Sequence, residues 1–398
     1  MEFTKNGEIK EIWYKGKLEK FDVYQIPLNQ LIYNKHNGRI KSLVKSYESG
    51  IGRELNPKDA NDKQIIESYL YDSAINRNEK TIKSLFDYGQ QEVGIVTKDL
   101  VIIDGNRRAS LLNKLYRENK NIDYFKAIIL PDNLLESKSE IIKLETNYQM
   151  GVDNKVEYKP IEKYLRCKEL VSEHNTSIEE VAKLMSEKES RINQWLKILD
   201  LMEEYLDYLN SPNVYTRLDK KEGHFVDLFN YNKKYESENQ DTKELKNVYF
   251  DYIRLGIPVA RARIIGNPRN SMSLFSKKEY WKDFYDNHIE IKEKFKEDSF
   301  KELKLKFPEK SNEQIFNRLD SDFKDNIGSN LLENLISGEI YIKQLSERKN
   351  TLNKLKNFSG YLNHFDITEN ILSDKEKIVT LLDEIIENAT CLKSKLND

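Results

Sequence analysis

The first third of the chain is built from short runs in which apolar and polar residues alternate. Residues 9–33 carry Ile9, Ile12, Trp13, Tyr14, Phe21, Val23, Tyr24 and Ile26 in such an order and predict strands. Residues 40–72 switch to helical spacing, interrupted at Glu54–Lys58 by a proline. Thr81–Tyr88 predicts a short helix with Ile82, Leu85 and Phe86 on one face and Gly89 as its cap. Val93–Val96 and Leu100–Ile103 are β-rich runs joined by the polar turn Thr97-Lys98-Asp99, the pattern of a β-hairpin. Asp104-Gly105-Asn106 breaks the second strand. A helix then runs through Ala109, Leu111, Leu112 and Leu115. Phe125–Leu130 predicts a buried strand, and residues 133–150 an amphipathic helix through Leu134, Ile141, Ile142 and Leu144.

Beyond residue 150 the apolar period is helical almost throughout. Pro160 opens a helix reaching about His174. Ser177–Met185 is a second, with Ser177 as cap and Glu180 three residues on, and Lys188–Leu201 a third, with Ile192, Trp195, Leu196 and Leu199 inward. That spacing fits a helix-turn-helix and equally an ordinary αα-hairpin. Residues 230–247 are polar and predict a linker or exposed loop. Tyr249–Arg263 interleaves apolar residues with Arg254, Arg261 and Arg263, read as a helix carrying solvated cations. In Asp374–Leu396, Ile378, Leu381, Leu382, Ile385 and Ile386 share one face, which suits self-association or packing on its own domain. The fold class is therefore α+β. A small mixed sheet domain occupies residues 1–152, a helical domain containing this helix pair, helix-turn-helix or αα-hairpin, 153–230, and an α-helical, oligomerising or partner-binding region 231–398.

Chemistry concentrates at the strand–glycine–helix junction. A glycine there lets backbone N–H groups face an anion, which the helix dipole also favours. Arg107 and Arg108 in the first helical turn oppose that dipole, so as plain helix formers they are misplaced. They fit a polyanion held between them and the turn, or pairing with nearby carboxylates. On the third helix of the second domain, Lys188, Arg191, Asn193, Gln194 and Lys197 form the exposed side, suited to phosphates and base edges, with Glu187 and Glu189 opposing.

Composition narrows the classes. A formal net charge of −2 in 398 residues excludes a surface that is basic throughout, so any nucleic-acid contact must be a local patch. Cys167 and Cys391 alone support neither a disulfide framework nor a zinc cluster. The N-terminus has no apolar signal core and no apolar run of about twenty residues occurs, so a cytoplasmic protein without membrane contact is expected.

In order along residues 24–201, five segments resemble the ParB/sulfiredoxin superfamily followed by a ParB-type helix-turn-helix. Gln25–Arg39 is similar to the opening strand and Asn-Pro-Arg box. Ile82–Val96, with Gln90, resembles the helix–glycine–glutamine–strand segment. Ile103–Leu112 resembles the Gly-Glu-Arg-Arg phosphate box, Leu144–Met150 the Glu-Asn-x-Gln-Arg box, and Ile178–Leu201 the family helix-turn-helix. The resemblance implies a nucleoside triphosphate, CTP or ATP, held by Arg39, Gln90, Gly105, Asn106, Arg107, Arg108, Asn147 and Gln149. It implies Mg²⁺ on Asp104, Glu145 or Asn147, Asp104 and Glu145 also being the candidate catalytic carboxylates. It further implies DNA at the helix-turn-helix and a homodimer. The expected role is DNA maintenance or defence in a bacterium or mobile element. A slow NTPase, a nuclease or phosphotransferase on the same pocket, and a non-catalytic adaptor are the alternatives. The chain departs from the pattern: Asn106 stands where the family has glutamate, Met150 where it has arginine, Glu145 is displaced by one place, and about Ile40–Ala74 is inserted, with Asn76-Arg77 a rival for the first box.

Overall fold

The computed structural model describes residues 3–118, 120, 122–134, 136–148, 158–269, 272–364 and 374–397. They fall into two compact units, Met1–Leu332 and Glu333–Asp398, and the architecture is α+β. Strands β1 (Thr4–Tyr14) and β2 (Lys17–Pro27) form a hairpin whose two-residue turn, Lys15-Gly16, holds both residues at positive φ. That is the turn whose twist matches paired strands. The predicted second hairpin is present as β3 (Gly94–Val96) and β4 (Ile102–Asp104), with Ile95 opposite Asp104. Strand β5 (Tyr124–Ile129) joins the two hairpins, antiparallel to β2 and parallel to β3, giving the order β1-β2-β5-β3-β4.

Alternation along these strands divides the core between the two faces of the sheet. Ile26, Val96, Ile102, Phe125 and Ala127 meet α1 (Lys41–Ile51), α2 (Ala60–Asp72), α3 (Ile75–Tyr88) and α4 (Asn106–Arg117) through Val44, Leu70, Leu85 and Leu111. Val23, Ile95, Ile103 and Ile128 pack on the other face against Ile141 and Leu144 of α5 (Lys138–Thr146). Helix α3 starts six residues before the apolar face legible in the sequence, because its first turn is polar and includes the fully buried Asn78.

Helix α6 (Pro160–Lys168) begins at its proline and passes through a π-turn, Glu169–Glu173. Helices α7 (Ile178–Leu184) and α8 (Glu189–Tyr208) follow, joined by a tight turn with Ser186 at positive φ. Ser177 caps α7 by accepting from the Glu180 amide at 3.2 Å, while the Glu180 carboxylate turns to Lys143 at 2.9 Å. Ile192, Trp195, Ile198 and Leu199 are buried along α8, and Leu196 is half-buried.

Residues 230–247 are not a linker. They lie in α9 (Glu222–Ser237) and α10 (Lys243–Leu255) with only a short loop between. Tyr231, Tyr235 and Leu245 carry the burial there, which the surrounding asparagines and lysines conceal. Arg254 is likewise not solvated. It is buried against Glu297 at 3.0 Å and Asp320 at 2.9 Å. Helices α11 (Val259–Gly266), α12 (Lys278–Glu293), α13 (Phe300–Lys306) and α14 (Asn312–Phe323) complete the first unit. Helix α15 (Ser329–Asn363) carries the chain into the second, whose last helix, Lys375–Asn397, leaves Leu381, Leu382 and Ile386 exposed. Among the described residues no helix is long and apolar enough to cross a membrane.

Helices α1 and α6 are joined by a carboxylate rather than by apolar contact alone. Both oxygens of buried Glu162 accept from the Ser42 amide at 3.2 Å in the first turn of α1. Burial pushes this carboxyl from its ordinary 4.5 up to about 7, against the Ser42 hydrogen bonds that favour its ionised form. A carboxyl raised in the folded state contributes stability that is fully present below its unfolded value and is lost as pH rises through the folded one. Glu162→Gln should therefore flatten stability between about pH 4.5 and 7, a difference on the order of 3 kcal/mol against the parent chain at pH 8. Urea unfolding across that range measures it, and parallel curves for the two chains would contradict it.

Candidate anion site and nucleic-acid interface

Strand β4 ends at Asp104, and Gly105 turns the chain into α4. Gly105 sits at φ +97°, and a Cβ there would lie 2.7 Å from Cζ of Phe125, so both backbone geometry and space require glycine. No side chain caps the α4 N-terminus. Arg107 is half-buried and donates to the Asn78 side-chain oxygen at 3.3 Å, while Arg108 donates to the Glu92 carbonyl at 2.5 Å. Arg39, at the end of the loop after β2, lies over the Tyr158 ring at 4.4 Å. Burial first, then the charges of Arg39, Arg108 and Arg77, lower the Arg107 pKa. Arg107 thus feels like charges from two other segments as well as from its own helix. Among the described residues no carboxylate forms an ion pair with Arg39, Arg107 or Arg108. Arg77 and Asn78 enter from α3, outside the candidate residues drawn from the sequence. The Asn76-Arg77 dipeptide was the signal for them.

Asn106 is buried, and its amide faces inward. Its Oδ1 accepts from the Asn34 amide at 2.9 Å and its Nδ2 donates to the Ile102 carbonyl at 2.7 Å. It pins the loop 34–39 to the Gly105 turn. The other side of that loop is held by Glu145, which is 1% exposed. Its Oε1 accepts from Asn37 Nδ2 at 3.0 Å and the Gly38 amide at 3.3 Å, and its Oε2 accepts from Arg166 at 3.0 Å. Arg166 also donates to the His36 carbonyl at 3.2 Å and to Glu169 at 2.8 Å, and Glu169 meets Lys41 at 2.8 Å. Burial opposes the charge on Arg166, but Glu145 and Glu169 together outweigh it and keep the guanidinium protonated. Arg166 and Lys41 likewise hold Glu169 at about 2 in spite of its burial.

The remaining candidates fall into place around this frame. Gln90 is structural: it exchanges hydrogen bonds with the Lys126 backbone at 2.7 and 2.8 Å, extending the β5 edge. Asp104 is half-buried, and its charge, after burial, helps raise the Tyr148 hydroxyl. Asn147 caps the C-terminal end of α5, and Gln149 lies outside the described residues. A divalent cation would have to be held by Asp104, Glu145 and Asn147. Glu145 is engaged on both oxygens and Asn147 brings no charge, so the set does not fit Mg²⁺ as a resident ion. Glu169, Glu173 and His174 place their ligand atoms within 4.8 Å of one another, but Arg166 and Lys41 already neutralise Glu169.

On the helix-turn-helix, Lys188, Arg191, Asn193 and Lys197 are exposed and Gln194 is half-buried. They form one wall of an open groove of about 1300 Å³, and Asn230 and Lys233 of α9 lie on the other. Asn193 donates back to the Glu189 carbonyl at 3.0 Å. Glu187, Asp200 and Glu236 also line the groove, and Lys246 there is paired with Glu204 at 2.7 Å.

Removing the guanidinium at the centre of the buried network leaves two carboxylates without it. Arg166→Met should lower the unfolding free energy by about 3–5 kcal/mol. A shift of the urea midpoint reads this directly, and an unshifted midpoint would mean that the loop is fastened by other contacts.

No protein-family model and no curated protein matches this chain. Among solved structures, the C-terminally truncated chromosome-partitioning protein ParB from Caulobacter crescentus, complexed to the centromeric parS site, is similar at 13% identity and a TM-score of 0.29, covering 56% of this chain and 97% of that one. A Pnob8-like ParB-N domain is similar at 13% identity and a TM-score of 0.35, over 71% of this chain and 98% of that one. The Caulobacter protein complexed with CTP-gamma-S gives 13% identity and a TM-score of 0.19, over 52% and 92%. Likeness of this degree says nothing about what this chain binds.

Proposed function

We propose that the chain binds a nucleoside polyphosphate at the junction of β4 and α4 and contacts DNA through α8, as a divergent ParB-like protein. The observation that carries the nucleotide reading is the guanidinium cluster. Arg39, Arg107 and Arg108 are half-buried and have no carboxylate ion-pair partner among the described residues; like charges gathered beside an uncapped helix N-terminus are unfavourable by themselves, and a multivalent anion removes that cost. Phosphate oxygens would accept from the amides after Gly105 and from Arg107, Arg108 and Arg39. The sequence boxes, which resemble the ParB/sulfiredoxin phosphate boxes, name CTP and ATP as the ligands to try first. The arrangement binds and orients phosphate, and no hydrolytic step is assigned to it. Arg107→Ala with Arg108→Ala should cost at least about tenfold in affinity per arginine. Titration calorimetry with CTP, ATP and GTP tests this; equal affinity in the double variant removes the reading.

The DNA reading rests on the exposed cations of α8. Arg191 and Lys197 have no carboxylate ion-pair partner among the described residues, and they sit on a helix whose buried Trp195 packs in a tilted arrangement on Tyr164, ring centroids 5.7 Å apart. Arg191→Ala with Lys197→Ala should weaken DNA binding across sequences and reduce the salt slope by about two phosphate contacts. Substituting Gln194 should alter sequence preference instead. Anisotropy titrations at low and moderate salt separate these effects. Identical salt slopes in wild type and double variant would favour the adaptor reading.

A further inference from the structure

The carboxylates that would carry a divalent cation beside the phosphates are committed elsewhere in this chain. Position 106 is an amide, and both of its polar atoms are used to fasten Asn34 and Ile102. Glu145 spends its oxygens on Asn37, Gly38 and Arg166, 1% exposed, so exchanging Arg166 for a metal would strand a buried guanidinium. Among the described residues, the candidate carboxylate left uncommitted there is Asp104, against Arg39, Arg107 and Arg108. A small, strongly hydrated dication approaching that cluster meets net repulsion.

We propose that the site takes its nucleoside polyphosphate free of a divalent cation, with the chain's own guanidinium groups supplying the neutralising charge. The inference rests on the polyphosphate reading above. Arg107, oriented by Asn78, and Arg108 cover the phosphates at the helix end, and Arg39, braced on Tyr158, supplies the third guanidinium. Arg166 acts at one remove as a positioning residue. By holding Glu145 and the His36 carbonyl it keeps loop 34–39, and so Arg39, facing the pocket. Asp104 then works against the ligand, since its charge faces phosphate with no metal between them.

The sign of two effects decides between this and a metal-bridged site. Calorimetry on the full chain would use CTP and ATP at fixed ionic strength, once with excess Mg²⁺ and once with EDTA. Affinity in EDTA should equal or exceed that in Mg²⁺, because the free nucleotide brings more negative charge to the same arginines. Asp104→Asn should leave affinity unchanged or raise it by up to about tenfold, with circular dichroism confirming the fold. An affinity that falls tenfold or more in EDTA and returns with Mg²⁺ overturns the inference while leaving the polyphosphate reading intact. The same holds if Asp104→Asn weakens binding tenfold. No binding in either condition overturns both.

Discussion

The buried contact between Glu145 and Arg166 holds the rest of the first unit to its purpose. An ion pair at that depth is worth little as raw stability, because desolvating both groups costs about what their attraction returns. Its value is geometric. Glu145 comes from α5 and Arg166 from α6, and between them they grip the loop 34–39 through Asn37, Gly38 and the His36 carbonyl. The loop would otherwise be free to move Arg39 away from Arg107. The same two residues place the sheet domain and the start of the helical region in one rigid frame, extended through Glu169 to Lys41 at the head of α1.

That frame explains why Arg39, Arg107 and Arg108 persist together although none of them has a carboxylate ion-pair partner among the described residues. Mutual repulsion among half-buried guanidinium groups has to be sustained by the surrounding structure, and here the sustaining contacts are individually identifiable. Asn78 aims Arg107, the Glu92 carbonyl aims Arg108, and Tyr158 braces Arg39. Strain of this kind is a feature of sites prepared for a ligand. The glycine at φ +97° belongs to the same preparation, since the packed Phe125 ring leaves no room for a side chain there.

Further along, burial is carried by residues with a polar end. Tyr208, His288 and Lys292 converge on the buried Asp251 carboxylate, and Arg217 and Arg254 both reach Asp320. This is why the helical region reads as polar in sequence and yet folds into a core. Tyrosine buries a large ring while its hydroxyl finds an acceptor, and a hydropathy pattern registers the second property more than the first.

The sequence by itself determined the elements whose cause is local. The Thr97-Lys98-Asp99 turn, the strand-breaking Gly105, the Ser177 cap and the apolar stripe of α8 are each set by residues within a few positions of one another, so the β3–β4 hairpin, the α4 junction and the helix-turn-helix spacing were legible. Arg107 and Arg108 were legible as cations in search of an anion, because arginines at a helix N-terminus are locally unfavourable, and Arg39 through the resemblance of its box. What only the tertiary structure decided is which polar residue answers which. Asn106, Gln90 and Glu145 carry the residue types of a binding site, and the fold spends them on Asn34, Lys126 and Arg166, at sequence separations of 72, 36 and 21. Asn78 was hidden because a lone polar residue in the first turn of a helix gives no sign that it is buried, here against Tyr71 and Arg107. Residues 230–247 were misread for the same reason. Pairing across the chain follows from packing in three dimensions, and neither period nor composition encodes it.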